Sequence, residues 1–309
     1  MSGAKHKPSL RHRLRSIAFA NQLGPGLITG AADDDPSGIA TYSQGGAQFG
    51  FGLLWTLVLT FPLMAAIQLV SAHIGRITGK GLAANMGKVL PGPVVLSLVA
   101  LLFVANTINI GADVAEMGEA AKLVTGFGEH AFTILFAIVS VVLQMFVPYQ
   151  RYARFLTVLT LSLFSYVALV FMIHLDWTQV GLGMIGMHAD LSPAAATTIV
   201  AIFGTTISPY LFFWQSAEEV EVLDHHKGER PLKDVPRQAK RAFARIRIDT
   251  LTGMAVSNIV GLAIMIATAA TLHAAGKTNI QTAADAARAL EPQAGKFAFL
   301  LFSIGIIGN

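Results

Sequence analysis

The sequence predicts an all-α polytopic membrane protein, built as an inverted repeat with two broken helices. Three observations carry that prediction. First, 53% of the 309 residues are hydrophobic and only 13% are charged, against about 25% charged in a soluble domain. Runs of roughly 18 or more mostly apolar residues recur along the chain, each long enough for a membrane helix. Second, the basic residues alternate between the segments that join those runs. Third, the first and sixth runs are each interrupted by a proline among polar residues.

The apolar segments fall at 17–32 with 39–49, 51–74, 92–118, 130–147, 155–174, 195–206 with 210–223, 246–272 and 296–309. That gives seven complete helices and the start of an eighth. Residues 1–16 read as a cytoplasmic N-terminal segment, 17–174 as a first repeat of five helices, and 175–194 as an extracytoplasmic loop. Residues 195–309 read as a partial second repeat, incomplete in its eighth helix. A repeat of five plus five helices needs at least two more. The sequence is therefore read as a fragment or as a truncated gene product. The period-2 pattern of a membrane β-barrel is absent.

Lys and Arg set the orientation. With the N-terminus in the cytoplasm of a cell with an inner (plasma) membrane, the inside segments carry all of the 22 basic residues except Lys122, Lys277, Arg288 and Lys296. The net charge of +4 is thus explained by topology, and nucleic acid is not an expected partner. The lipid bilayer is. The chain has no cysteine, which removes disulfides and thiolate metal sites. The basic N-terminus and first apolar run could instead be a signal peptide, although Asn21, Gln22 and Pro25 interrupt the apolar core.

The breaks carry the functional reading. Helix one stops at Asp33-Asp34-Asp35-Pro36-Ser37-Gly38, and helix six at Thr205-Thr206-Ile207-Ser208-Pro209-Tyr210. An offset of five helices inverts a unit in the membrane. Paired broken helices in two inverted halves point to a transporter's substrate site. Unwound backbone in hydrocarbon is tolerated only where it lines a cavity or meets a ligand. Carboxylates at that depth are costly and point to function. A plain proline kink is the bland alternative, more so for Pro209 than for Pro36.

Helix three adds a polar stripe. Asn106, Asn109, Asp113 and Glu116 recur at spacings of three and four, which is one helical face. It could line an aqueous path or form a polar seam between helices. On helix six, Glu218 and Glu221 share a face and could form a cation-attracting vestibule, or a solvated helix end.

These motifs together resemble the Nramp family of divalent-metal transporters, whose fold is the LeuT-type inverted repeat. The family's Asp-Pro-Gly-Asn is matched by Asp35-Pro36-Ser37-Gly38. Its Thr-Asp-hydrophobic-Ala-Glu is matched by Ala112-Asp113-Val114-Ala115-Glu116. Its Ala-x-x-Met-Pro-His is matched by Thr205-Thr206-Ile207-Ser208-Pro209-Tyr210. The resemblance runs from about residue 17 onward. The departures are informative. Gly38 stands where the family has its Asn ligand, Ser208 where it has the Met ligand, and Tyr210 where it has the His of proton transfer. Asn106 stands at an acidic family position. This set resembles the Nramp-related magnesium transporters of prokaryotes.

The resemblance implies no enzyme and no cofactor beyond the transported cation, Mg²⁺ or Mn²⁺. It implies a metal site of Asp35, Gly38, Thr205 and Ser208. Asp33, Asp34, Asn106, Asn109, Asp113, Glu116, Tyr210 and Glu218 would line the pathway. One of Asp33 and Asp34 could instead cap the second half-helix. An all-oxygen site suits a hard ion, whereas sulfur would favour softer ones. The nearest alternative is a proton-coupled Mn²⁺/Fe²⁺ transporter. A sodium–amino-acid symporter of the same fold, a membrane sensor or scaffold, and an intramembrane aspartyl protease at Gly111-Ala112-Asp113 are more distant.

Overall fold

The computed structural model describes residues 29–30, 33–147, 164–187, 189, 192–225, 228–280, 282–287 and 306. Among them every regular element is helical. The order is α1 (Pro36–Phe49), a 3₁₀ turn (Gly50–Leu53), α2 (Leu54–Thr78), short α3 (Leu82–Met86), α4 (Gly92–Thr125), α5 (Glu129–Phe146), α6 (Phe164–Met172), α7 (Trp177–Met184), α8 (Pro193–Thr206), α9 (Pro209–His225) and α10 (Ala239–Thr268). Four helical stretches are long and apolar enough to cross a membrane: Pro36–Thr78, Gly92–Thr125, Pro193–Asp224 and Pro236–His273. The expected apolar segments at 17–32 and 296–309, and the first half of 155–174, lie almost wholly outside the described residues.

Two element boundaries differ from the expected ones for local reasons. α4 runs past the apolar stretch to Thr125, because Gly126 supplies the left-handed cap (φ 86°) that ends it. α10 begins at Ala239, before its apolar residues, since the basic stretch ahead of them is already helical. The expected loop at 175–194 also contains a helix, α7. Asp176 caps it, accepting from the Thr178 N–H at 2.9 Å.

Both breaks have the same construction. Proline opens the second half-helix in each, Pro36 in α1 and Pro209 in α9. Its missing N–H costs nothing at that position, and its fixed φ suits the first helical turn. Neither proline therefore kinks a continuous helix. Between α8 and α9 the interruption is only Ile207 and Ser208.

A seam of small residues sets α1 against α10. Gly30, just before the first break, faces the backbone of Gly253 so closely that a Cβ there would overlap it. Further along, the Tyr42 ring packs on Gly261, and a Cβ on Gly46 would land on Thr268 and the Met265 carbonyl. Tyr42, Ile39, Val260, Ile264 and Met265 are buried along this line and belong to the main hydrophobic core. Close packing of this kind is how helices associate where water supplies no hydrophobic drive. A second close approach joins α2 to α9. Gly75 sits on the Ser216 carbonyl, and the Ser71 hydroxyl donates to the Phe212 carbonyl.

The seam predicts a pair of outcomes. Gly46→Ala should lower stability by about 1–3 kcal/mol, because backbone must move to admit the methyl group. Gly111→Ala on α4 has open space around it and should be neutral or gain roughly 0.5–1 kcal/mol from helix propensity. Thermal unfolding of both variants in detergent checks this. Equal effects would mean that the seam does not position α1.

Candidate metal-cation site

The first break splits its three carboxylates between two neighbours. Asp35 faces α4, while Asp33 and Asp34 face α10. The direction changes between Asp34 and Asp35, where the turn gives way to the extended N-cap of α1.

Asp35 is the N-cap of α1. Its Oδ1 accepts the Gly38 N–H at 2.7 Å and the Ser37 hydroxyl at 2.8 Å. The cap expected from Asp33 or Asp34 is thus supplied by Asp35. Pro36 fixes this outcome: the residue immediately before the first helical position is the one whose side chain reaches the open N–H groups. The other oxygen of Asp35 accepts from the Asn109 amide at 3.0 Å and the Tyr210 hydroxyl at 3.2 Å. One carboxyl group therefore ties α1 to α4 and to α9.

Ser37 extends the network. Its backbone N–H donates to Asp113 Oδ1 at 3.2 Å, and its hydroxyl lies 3.1 Å from Asn109 Oδ1. Asn109 donates to Asp113 Oδ2 at 3.1 Å along α4. The polar stripe of α4 divides here. Asn109 and Asp113 join the break, and Asn106 lines a cavity described below. Glu116, one turn further, accepts the Ala283 N–H at 3.0 Å.

Gly38 is where oxygens from the two breaks converge. A Cβ there would sit 3.1 Å from Asp35 Oδ1, 3.1 Å from Thr205 Oγ1 and 3.4 Å from the Asp33 carbonyl. Glycine thus lets a carboxylate, a hydroxyl and a main-chain carbonyl draw close together, and these three rim a cradle. Two come from the first break and one from the second. All three are oxygens, the donor set of hard divalent ions.

The Ser208 hydroxyl is held by its own helix. It donates to the Thr205 carbonyl at 2.6 Å and approaches the Gly204 carbonyl at 3.1 Å, closing the open end of α8. It faces a cavity of about 510 Å³ lined by Asn106, Asn109, Ser208, Tyr210 and apolar residues of α3, α4 and α9. Tyr210 and Asn109 stand between this cavity and Asp35.

Glu218 and Glu221 do not make a shared acidic surface. Glu218 is buried and Glu221 is exposed. The informative acid there is Glu219, which pairs with Arg245 of α10 at 2.5 Å. Nearby, buried Arg76 at the end of α2 pairs with Glu229. Sequence reasoning counted Arg76 and Arg245 as topology signals and passed over Glu219. The neighbouring acid and base on facing helices become visible only once α2, α9 and α10 are packed. Among the described residues no cluster of three His, Cys, Asp or Glu side chains could hold a metal. The cradle escapes that description because its oxygens are of three different kinds.

A family model described as "Natural resistance-associated macrophage protein-like" (Nramp) matches residues 26–309. A divalent metal cation transporter, MntH, of Pectobacterium carotovorum subsp. carotovorum (strain PC1) is 30% identical over 314 residues, covering 99% of this chain and 72% of that protein. MntH of Yersinia pestis (strain Pestoides F) is 29% identical over 304 residues, covering 96% and 70%. The crystal structure of a manganese transporter from Eremococcus coleocola superposes with a TM-score of 0.72 at 17% identity. It matches 99% of this chain, which spans 64% of that protein's length. At that identity the likeness concerns the fold alone.

The cap geometry yields a stability prediction. Asp35→Ala removes the acceptor for Gly38 and should cost about 0.5–2 kcal/mol. Asp35→Asn keeps a good capping oxygen and should unfold within a few degrees of the parent protein. Paired thermal melts decide. If Asn is as damaging as Ala, the charge and not the cap holds the break.

Proposed function

The chain belongs to the Nramp family, and on that premise we propose that it carries the ion site of a transporter for hard divalent cations, Mg²⁺ and Mn²⁺. The observation that carries this reading is the oxygen cradle at Gly38. Asp35 supplies the charge. Thr205 and the Asp33 carbonyl supply neutral oxygens from both breaks. Ser208, Asn106, Asn109 and Tyr210 line the approach. Asp113 steadies Ser37 and Asn109, and through them Asp35. The family and the named relatives support divalent cations as the cargo and transport as the activity. The Mn²⁺ reading is supported by the relatives' names, and the Mg²⁺ reading by the lack of sulfur in the cradle.

Alternating access supplies the mechanism. The ion sits between the two breaks. Movement of one repeat against the other then opens the site to one face at a time. A partly hydrated ion fits best, because Mg²⁺ sheds water reluctantly and the cradle offers few protein ligands. The Lys and Arg distribution supports a cytoplasmic N-terminus in the inner (plasma) membrane.

Uptake into proteoliposomes tests the reading. Asp35→Asn, which keeps the cap, should reduce Mg²⁺ and Mn²⁺ uptake to background. Thr205→Val is nearly isosteric and removes one donor, so the half-saturating concentration should rise roughly tenfold, about 1.4 kcal/mol. Uptake unchanged in both variants would place the ion elsewhere.

A further inference from the structure

We infer that the first turns of α10 form a docking surface for anionic phospholipid, whose headgroups meet Arg237, Lys240, Arg241 and Arg247. Pro236–Gln238 form a 3₁₀ turn that leads directly into α10 at Ala239. At about 3.6 residues per turn, the four bases fall on one face, together with Ala244 and Ile248. All four are exposed. Among the described residues none of them is joined to an acid. The acid within α10, Asp249, is buried on the other side of the helix, and Asp234 is exposed in the loop ahead of the stripe. The other bases here turn inward: Arg245 pairs with Glu219, and Arg76 with Glu229. The bases at this end of the helix therefore divide in two. One set is spent on packing, and the other is a stripe of like charge facing outward. The first turn of α10 holds no acid, although a helix start favours acids over bases. An external anion relieves the repulsion along the stripe.

The stripe ends where the membrane begins. Beyond Arg247, α10 runs on to Thr268, which is about 30 Å at about 1.5 Å per residue. That is the thickness of a hydrocarbon core. The same face continues into Ile248, 40% exposed, and Ile259, 51% exposed. A phospholipid uses both parts: its phosphate meets the bases, and its acyl chains lie along the isoleucines. A soluble anion would use only the charges. A cluster of bases immediately outside a membrane helix has the chemistry that holds anionic headgroups. α10 also carries the glycine seam to α1, so lipid held on its first turns bears on the helix that positions the first break. The inference rests on the membrane reading of the chain and not on the nature of the cargo.

The test is thermal unfolding of the full chain in detergent at low salt, with dioleoylphosphatidylglycerol or dioleoylphosphatidylcholine added at equal mole fraction. The anionic lipid should raise the midpoint saturably by roughly 3–6 °C more than the zwitterionic one. Changing Lys240→Gln and Arg241→Gln together should remove about half of that difference or more. Changing Lys80→Gln and Lys88→Gln together removes the same charge from the connection between α2 and α4, and should leave the difference intact. Asp35→Asn should also keep it, which separates failure of the lipid surface from failure of the ion site. Equal midpoints for the parent protein in the two lipids would overturn the proposal. So would an equal rise with inorganic phosphate, or an equal loss in the two double variants. The parent protein alone decides the lipid comparison, so a variant that fails to fold does not rescue the idea.

Discussion

A helix that stops inside an apolar chain leaves backbone groups that lipid cannot satisfy, and Asp35 is the group that resolves this. Its carboxylate accepts the N–H of Gly38 on one oxygen and meets Asn109 and Tyr210 on the other. The cap holds Gly38 beside Thr205, so that oxygens of both breaks converge there. The network to α4 holds Asp35 in turn. A single carboxylate thereby serves local structure and borders the proposed site. A charge at this depth is tolerable where such a network meets it.

The rest of the fold keeps that arrangement in place. The glycine seam between α1 and α10 permits an approach that any side chain would prevent. The matching start of both second half-helices at proline puts two sets of helix ends on one spot. Charged pairs lie away from it: Arg76 with Glu229, and Glu219 with Arg245. They join α2, α9, α10 and the loop after α9 at a distance from the cradle. Packing, capping and ion pairing thus fall to different residues.

Much of this was legible in the sequence. The apolar runs and the two interrupted segments gave the helices, because membrane helices are set by length and hydropathy more than by tertiary context. Asp35, Gly38 and Thr205, chosen because breaks are punctuated by proline and polar residues, lie close together in the structure. The Ser208 hydroxyl turns to the carbonyls of its own helix, which spacing along a broken helix does not reveal. The polar stripe of α4 was legible as one face, yet its members meet different partners: Asn109 meets Asp35, while Glu116 meets the backbone of Ala283. The opposed directions of Asp33 and Asp35 were not legible at all. Three adjacent identical residues carry no pattern, and only the turn geometry separates them.

The central claim is that a hard divalent cation binds in the oxygen cradle between the two breaks. Crystals of the protein soaked in Mn²⁺, with anomalous scattering measured near the manganese edge, test it most directly. The account predicts an anomalous peak within coordinating distance of Asp35 Oδ1 and Thr205 Oγ1, in the space above Gly38. A peak confined to Glu218 and Glu219, or to Asp113 and Glu116, with none at Gly38, would contradict it.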